Sequence, residues 1–285
     1  MTSSRAITHA TGQFVRETAG SQALERGLSL LRAFRVGTTS LTNAGLAEKV
    51  GLPRATVSRL TRSLVDSGFL CYDVSERAYR LSSVVLSLSD AYGQAHQAPE
   101  FARPFMRKLG SAENVNVGLA VADQTDMVYL VAVRQSRDAL SRLRRVVAGT
   151  RVPIAMTSIG FAYLAGLPQA AREALLHNVA LREGKQWPSI RARVASGIAE
   201  MQALGYCTAA FQPGHLLAVG SHFVGPDNQL YAVNISYPFR SGHESSDNRR
   251  YGAALLKLIA SIRKDWFSTY ERKGIAVGRS PGGAD

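Results

Sequence analysis

A dense group of hydrogen-bonding side chains lies in GLPRATVSRLTRSLVDSGFL, residues 51–70. Arg54, Thr56, Ser58, Arg59 and Arg62 crowd together there beside the small Ala55. Arginine carries a planar fork of donors that fits two phosphate oxygens or the edge of a guanine. Serine and threonine add compact donors, and alanine permits close approach. At about 100° per residue, Val57, Leu60 and Leu64 share one sector of a helix. Ala55, Ser58, Arg59 and Arg62 fall on the far side, with Arg54 and Thr56 flanking near the start. An apolar side that anchors and a polar side that can enter the major groove of DNA is the chemistry this spacing implies. A charged face that merely meets water gives the same pattern on this segment alone.

Groups that could do covalent or metal chemistry are scattered by comparison. The histidines, at positions 9, 96, 177, 215, 222 and 243, form no HExxH or other compact ligand spacing, and no GxSxG elbow, P-loop or dinucleotide fingerprint is present. Neighbouring strands can bring Cys207, His215 and His222 together, but such spacing is common by chance. The expectation is no catalytic residue, no metal and no cofactor. Cys71 and Cys207 form no CxxC pair, which fits a reducing cytoplasm better than a disulfide scaffold. The run TSIG opens a predicted helix at 157–166. There Thr157, Ser158 and Gly160 offer backbone amides, hydroxyls and the positive end of a helix dipole to a small anion. A Thr157 that simply caps a structural helix is the plainer alternative.

The 285 residues allow one large domain or two of ordinary size, and a hydrophobic fraction of 46% allows a substantial core. Lys and Arg outnumber Asp and Glu by 34 to 21, which favours a polyanionic partner or an acidic small ligand. Residues 1–82 hold 11 Lys and Arg against 6 Asp and Glu. No secretory pattern opens the chain and no apolar run is long enough to span a bilayer, so a cytoplasmic protein with no membrane partner is expected.

Stepping along the chain, residues 1–20 read as a mobile arm. Ser21 caps a helix from Gln22 to about Val36–Gly37, with Leu24, Leu28 and Leu31 as its stripe and Leu30 and Phe34 widening it. Thr42 caps a shorter helix that buries Leu46, Ala47 and Val50 and stops at Gly51. Pro53 starts the arginine-bearing helix, which runs to about Ser67 before Gly68. FLCYD and AYRL, joined by the turn VSER, read as a hairpin with Arg77 at its tip, in reach of a DNA backbone or minor groove. Three helices and a hairpin are the order of a winged helix-turn-helix over 21–82. A linking helix at 83–98, broken by Pro99, carries an apolar stripe (Val84, Val85, Leu88, Ala91, Tyr92, Ala95) that a second subunit would cover. Residues 99–270 then suggest an α+β domain with a mainly antiparallel sheet flanked by helices. Its strand-like runs are VNVGLAVA, MVYLVAV, LSRLRRVVA, LLAVGSHF and LYAVNISY. Helices are expected at 100–110, 157–166, 168–178, 188–204 and about 247–270, ahead of a loose tail at 271–285 (GRSPGGAD at its end).

ALERGLSLLRAF, LTNAGLAEKVGLPRATVSRLTRSLVDSGFL and YRLS resemble the DNA-binding domain of IclR-family transcription regulators. The resemblance continues through VNVGLAVADQTDMVYLVAV, GTRVPIAMTSIGFAYLAGLP and LGYCTAAFQPG, over about residues 21–265. It implies a cytoplasmic regulator that binds a double-stranded DNA operator as a homodimer or homotetramer. It also implies a GAF- or profilin-like C-terminal domain that senses a small-molecule effector, often an organic anion. Thr157, Ser158 and Gly160 match the family's T-x-x-G region, where effectors approach, and Asn234 and Ser236 replace its two serines on the last strand. Ala155 stands where the family has a His, Phe161 where it has a basic residue, and Leu217 where it often has a cysteine. The acidic stretch usual after GY is missing. These changes point to a less polar pocket suited to an aromatic acid. Between Arg134 and Arg151 lie six arginines and one aspartate, Asp138. A solvated basic edge, an anion attractor or a subunit contact would each account for them. A protein-binding adaptor without DNA affinity, and an enzyme acting on organic acids, remain the competing classes.

Overall fold

The computed structural model describes residues 20–137, 146–212 and 215–272, and the backbone of 7–8 and 13–14. The chain divides into two compact units, residues 1–96 and 97–285. Most of the arm predicted at 1–20, the tail beyond 272 and Asp138, Arg142, Arg144 and Arg145 lie outside the described residues. Within the first stretch, β1 (Ile7–Thr8) and β2 (Gln13–Phe14) pair antiparallel.

In the first unit, α1 (Gln22–Arg32) is capped by Ser21, whose hydroxyl accepts from the Leu24 amide. It ends earlier than its leucines suggest. The amides of Ala33 and Phe34 turn to carbonyls three residues back, at 3.2 Å each, which tightens and closes the last turn. Its buried face is Gly27, Leu30 and Ala33, whereas Leu24 and Leu28 are 62% and 49% exposed. The predicted stripe was therefore displaced around the helix. α2 (Asn43–Val50) starts on Thr42 and stops at Gly51, which adopts φ +68°, a left-handed conformation that costs glycine little. α3 (Arg54–Asp66) follows Pro53. β3 (Leu41–Thr42), β4 (Leu70–Asp73) and β5 (Ala78–Leu81) form a sheet in the order β3-β5-β4, so the expected hairpin gains a short third strand ahead of α2. Leu30, Ala33, Leu41, Leu46, Ala47 and Val57 are the core, with Leu60 and Leu64 packed against it. α4 (Val84–Ala95) buries none of its residues; Leu86 is 69% exposed. It closes on His96, whose amide and ring Nδ1 both lie 2.9–3.0 Å from the Tyr92 carbonyl.

In the second unit, Pro99 sits in the first turn of α5 (Ala98–Glu113), where a missing N–H is harmless, instead of breaking α4. A six-stranded antiparallel sheet follows, in the order β8-β7-β6-β11-β10-β9. Its strands are β6 (Asn116–Asp123), β7 (Asp126–Arg134), β8 (Arg151–Pro153), β9 (Cys207–Gln212), β10 (Leu216–Val224) and β11 (Leu230–Pro238). The run LSRLRRVVA is not the third strand where it is described. Val146–Ala148 are outside any strand, and pairing resumes at Arg151. β9 was missed because two alanines and a threonine give an edge strand little β signal.

The sheet's two faces differ in kind. Val117, Leu119, Val219, Val233, Ile235 and Tyr237 pack against α5 and the long α9 (Glu244–Arg272), in which Tyr251, Leu255, Leu258, Ile262 and Trp266 recur at helical spacing. The opposite face holds Gly118, Ala120, Ala218, Gly220 and Ala232 beneath α6 (Ser158–Gly166) and α8 (Trp187–Leu204). α7 (Gln169–Glu183) precedes α8. Among the described residues no helix is long and apolar enough to cross a membrane. The α+β class, the winged helix-turn-helix and the helix-flanked antiparallel sheet are as expected.

One arginine of the basic run has a structural job. Arg151 pairs with Asp123 and, at 3.2 Å, with Asp126, while Arg182 reaches Asp126 at 2.9 Å and donates to the Thr125 hydroxyl at 2.7 Å. Asp126 is 6% exposed and the Arg151 side chain 16%. A solvated edge does not describe this residue, because the network ties the β6–β7 turn to β8 and α7. Removing one partner of a buried charge network strands the others. Asp126→Ala is expected to lower the unfolding free energy by about 3 kcal/mol in urea denaturation, whereas exposed Glu173→Ala changes it by less than about 0.5 kcal/mol.

Candidate DNA interface and ligand pocket

The rotation of α3 is set by its buried positions, Val57 and Thr61. Thr61 is polar in an apolar sector, and it satisfies its hydroxyl by donating to the Val57 carbonyl at 2.9 Å. With that side fixed, Arg54, Ala55, Ser58, Arg59 and Arg62 are exposed and Thr56 is half-buried. Pro53 supplies no side-chain cap and no acidic residue occupies the first turn, so nothing offsets the positive end of the helix dipole. None of the three arginines forms an ion pair among the described residues. Six of the predicted contact residues are thereby placed: five on α3 and Arg77 on the wing.

Arg77 takes a left-handed φ of +49° and is exposed. The adjacent wing residues are self-contained. Asp73 accepts from the Ser75 hydroxyl and from the Ser75 and Glu76 amides, which holds its carboxyl below the ordinary range. Arg80 bridges Asp73 at 3.2 Å and Glu76 at 2.7 Å.

In the second unit, strand register builds a hollow from two rows of small and polar residues. Ala209, Ala218, Ser236, Asn116 and Arg134 lie side by side across five strands; Cys207, Gly220, Asn234, Gly118 and Ala132 form the next row. The N-terminus of α6 closes over them, and Thr157, Ser158, Asn234 and Ser236 line one cavity with Asn116, Tyr129 and Arg134. Thr157 uses its hydroxyl fully, accepting from the Gly160 amide at 3.3 Å and donating to the Pro153 carbonyl at 3.1 Å. Ser158 is 1% exposed, yet its hydroxyl has no hydrogen-bond partner among the described residues. A buried hydroxyl left unpaired is costly, which makes this oxygen the group in the wall with most to gain from a ligand.

Gly160 stands outside the lining. A Cβ there would collide with the Ile154 carbonyl, so the glycine serves close packing of α6. Phe161 is turned away as well, buried against Gly197 of α8, and does not line the cavity. Asn116, Gly118, Tyr129 and Arg134 escaped sequence reasoning because only the register of β6 against β11 and β7 brings them in.

Cys207 is a core group and His222 is half-buried. Cys207 is fully buried, with Sγ 3.3 Å from the Ser158 carbonyl and 3.6 Å from that of Gly220. Burial, reinforced by the Glu200 charge, pushes its thiol far above the ordinary range, the wrong direction for a nucleophile. Burial lowers the His222 pKa, favouring the neutral ring. His215 is exposed. Among the described residues no three His, Cys, Asp or Glu side chains are grouped to hold a metal. Native protein treated with iodoacetamide should gain one adduct, on exposed Cys71. Intact mass spectrometry checks this, with a second adduct appearing only in denaturant.

Residues 23–74 match the IclR helix-turn-helix domain. Over 85% of its length the chain is 31% identical to the HTH-type transcriptional regulator TsaQ1/TsaQ2 of Comamonas testosteroni, covering 87% of that protein. It is 26% identical over 62% of its length to the transcriptional repressor IclR of Escherichia coli, covering 61% of it. An IclR-family regulator from Brucella abortus superposes with a TM-score of 0.75 at 29% identity, over 88% of this chain and 95% of that one. An IclR homologue from Microbacterium hydrocarbonoxydans, solved in complex with 4-hydroxybenzoate, shares the fold at 18% identity and a TM-score of 0.66, over 87% of this chain and all of that one. Matched along most of both chains by such a relative, and bearing the helix-turn-helix where α2 and α3 lie, this chain belongs to the IclR family of DNA-binding transcription regulators.

Proposed function

We propose that this protein is a cytoplasmic, sequence-specific regulator that docks α3 in the major groove of an operator, and that a small organic acid in the second unit alters its affinity for that site. The observation that carries the reading is the arginine face of α3. Its apolar side is spent on the core, and the three guanidiniums make no ion pair among the described residues. Arg54, Thr56, Ser58, Arg59 and Arg62 contact bases and phosphates, and Arg77 reaches the backbone beside the groove.

Thr157, Ser158, Asn234 and Ser236 hold the effector, with Gly160 supporting the helix that carries the first two. Arg134 in the lining favours an anion, and the unpaired Ser158 hydroxyl favours an oxygen acceptor. The 4-hydroxybenzoate held by the Microbacterium homologue makes that compound a reasonable first probe. The effector acts by binding two conformations of the protein unequally, since equal binding shifts nothing. The exposed apolar residues Val84, Leu88 and Tyr92, on the striped side of α4, join two copies into a dimer that presents two reading helices to a palindromic site.

An adaptor would tolerate loss of the arginines, whereas a DNA reader would not. Arg59→Ala is expected to weaken operator binding by about 1–3 kcal/mol, and Arg54, Arg59 and Arg62 changed together to alanine should abolish specific binding with the fold intact. Gel-shift titration over a range of salt, with circular dichroism as control, decides it; unchanged affinity of the folded triple variant refutes this surface. Sedimentation at micromolar concentration should show a dimer, and Val84→Lys with Leu88→Lys should shift it to monomer.

A further inference from the structure

We infer that Tyr129 is a plug built into the ligand pocket, a ring that a bound aromatic acid must displace, and that it thereby selects ligands by size; this rests on the effector reading proposed above.

The strand itself is irregular where the ring enters. Val131 and Val133 on β7 face the α5–α9 side with the aliphatic core. Strict alternation would send Tyr129 and Met127 the same way. The pairing slips instead between Leu119 and Ala120: Leu119 lies opposite Val131, but Ala120 lies opposite Tyr129, and Leu130 is the extra residue. This bulge reverses the side on which Tyr129 emerges and delivers the ring to the pocket face. There it is 5% exposed.

Space for the ring is made by Gly118 in the lining, two residues along β6 from Ala120, which lies opposite Tyr129. A Cβ added to Gly118 would fall inside contact range of the Tyr129 ring edge and of the Asn234 side-chain oxygen. The ring thus occupies volume that the small residues of the sheet would otherwise leave to a ligand. The cavity remaining is about 50 Å³, against about 150 Å³ for a cavity that admits benzene. The ring therefore fills part of the space a substituted benzoate would take.

The phenol also reaches the pocket wall. The Tyr129 hydroxyl donates to Asn234 Oδ1 at 3.5 Å, the long limit of a hydrogen bond. Displacing the ring gives up this bond and exposes Asn234 to the incoming ligand. The cost of displacement scales every apparent affinity by the fraction of molecules with the ring out of the way. An acid too large for the vacated space then fails even when its polar groups match.

The test is calorimetric titration of the full chain with 4-hydroxybenzoate and with the larger 6-hydroxy-2-naphthoate. The proteins compared are wild type, Tyr129→Ala and Tyr129→Leu. Leucine keeps a buried apolar side chain and guards against loss of fold, and Tyr129→Phe retains the ring. Removing the ring is expected to tighten 4-hydroxybenzoate by about tenfold and to admit the naphthoate, which wild type rejects. Tyr129→Phe should keep the wild-type preference for the smaller acid. Wild-type binding with no gain in Tyr129→Ala or Tyr129→Leu overturns the plug while leaving the pocket reading intact. Absence of binding by every form overturns the aromatic-acid reading, and the plug falls with it.

Discussion

Burial of Val57 and Thr61, with Leu60 and Leu64 leaning on the same core, fixes the rotation of α3 about its own axis. What this protein does to DNA depends on that rotation. Leu30 of α1 and Leu46 of α2 provide the apolar surface that holds it, and a turn of about 100° would bury an arginine in their place. The hydroxyl of Thr61 shows how closely the packing is specified. It occupies a position where an aliphatic residue is expected and discharges its polarity into the helix backbone. Short helices are marginal without tertiary packing. The anchoring side therefore makes the reading helix stable as well as correctly aimed.

The second unit works by an asymmetry between two faces of one sheet. Large aliphatic and aromatic side chains fill the side toward α5 and α9, where Trp266 stacks on Phe101 with centroids 5.4 Å apart. Glycine, alanine, serine and asparagine dominate the side beneath α6. One face is a packed core and the other can keep a hollow, because small residues do not fill the gap between sheet and helix. Thr157 anchors the lid of that hollow, and Ser158 offers a hydroxyl that has no hydrogen-bond partner among the described residues.

Much of the first unit was legible in the sequence because its signals are local. Ser21 and Thr42 are caps, Gly51 and Gly68 take positive φ, and Pro53 adjoins the helix start. Leu24 and Leu28 misled because helical spacing reports which residues share a face, not whether any neighbour covers it. In the second unit Thr157 and Ser158 could be found from a capping pattern at the head of a helix. Asn116 and Tyr129 could not. Their membership of the pocket depends on which strand lies beside which, and Tyr129 depends on a one-residue bulge that reverses the parity of β7. Arg151 had the same difficulty: its charge looked like part of a solvated run until Asp123 and Asp126 were brought beside it.

The placement of α3 is tested most directly by crosslinking. A photoreactive benzophenone amino acid substituted for Ser58, on the exposed side of α3, should crosslink to bases within operator half-sites, while the same group at Ser63, further along the helix, should crosslink weakly or to the sugar-phosphate backbone. Adducts are expected at fixed base positions, repeated symmetrically about the operator centre. Crosslinks from Ser58 to another protein chain, or none to DNA under conditions in which the operator is bound, would contradict it.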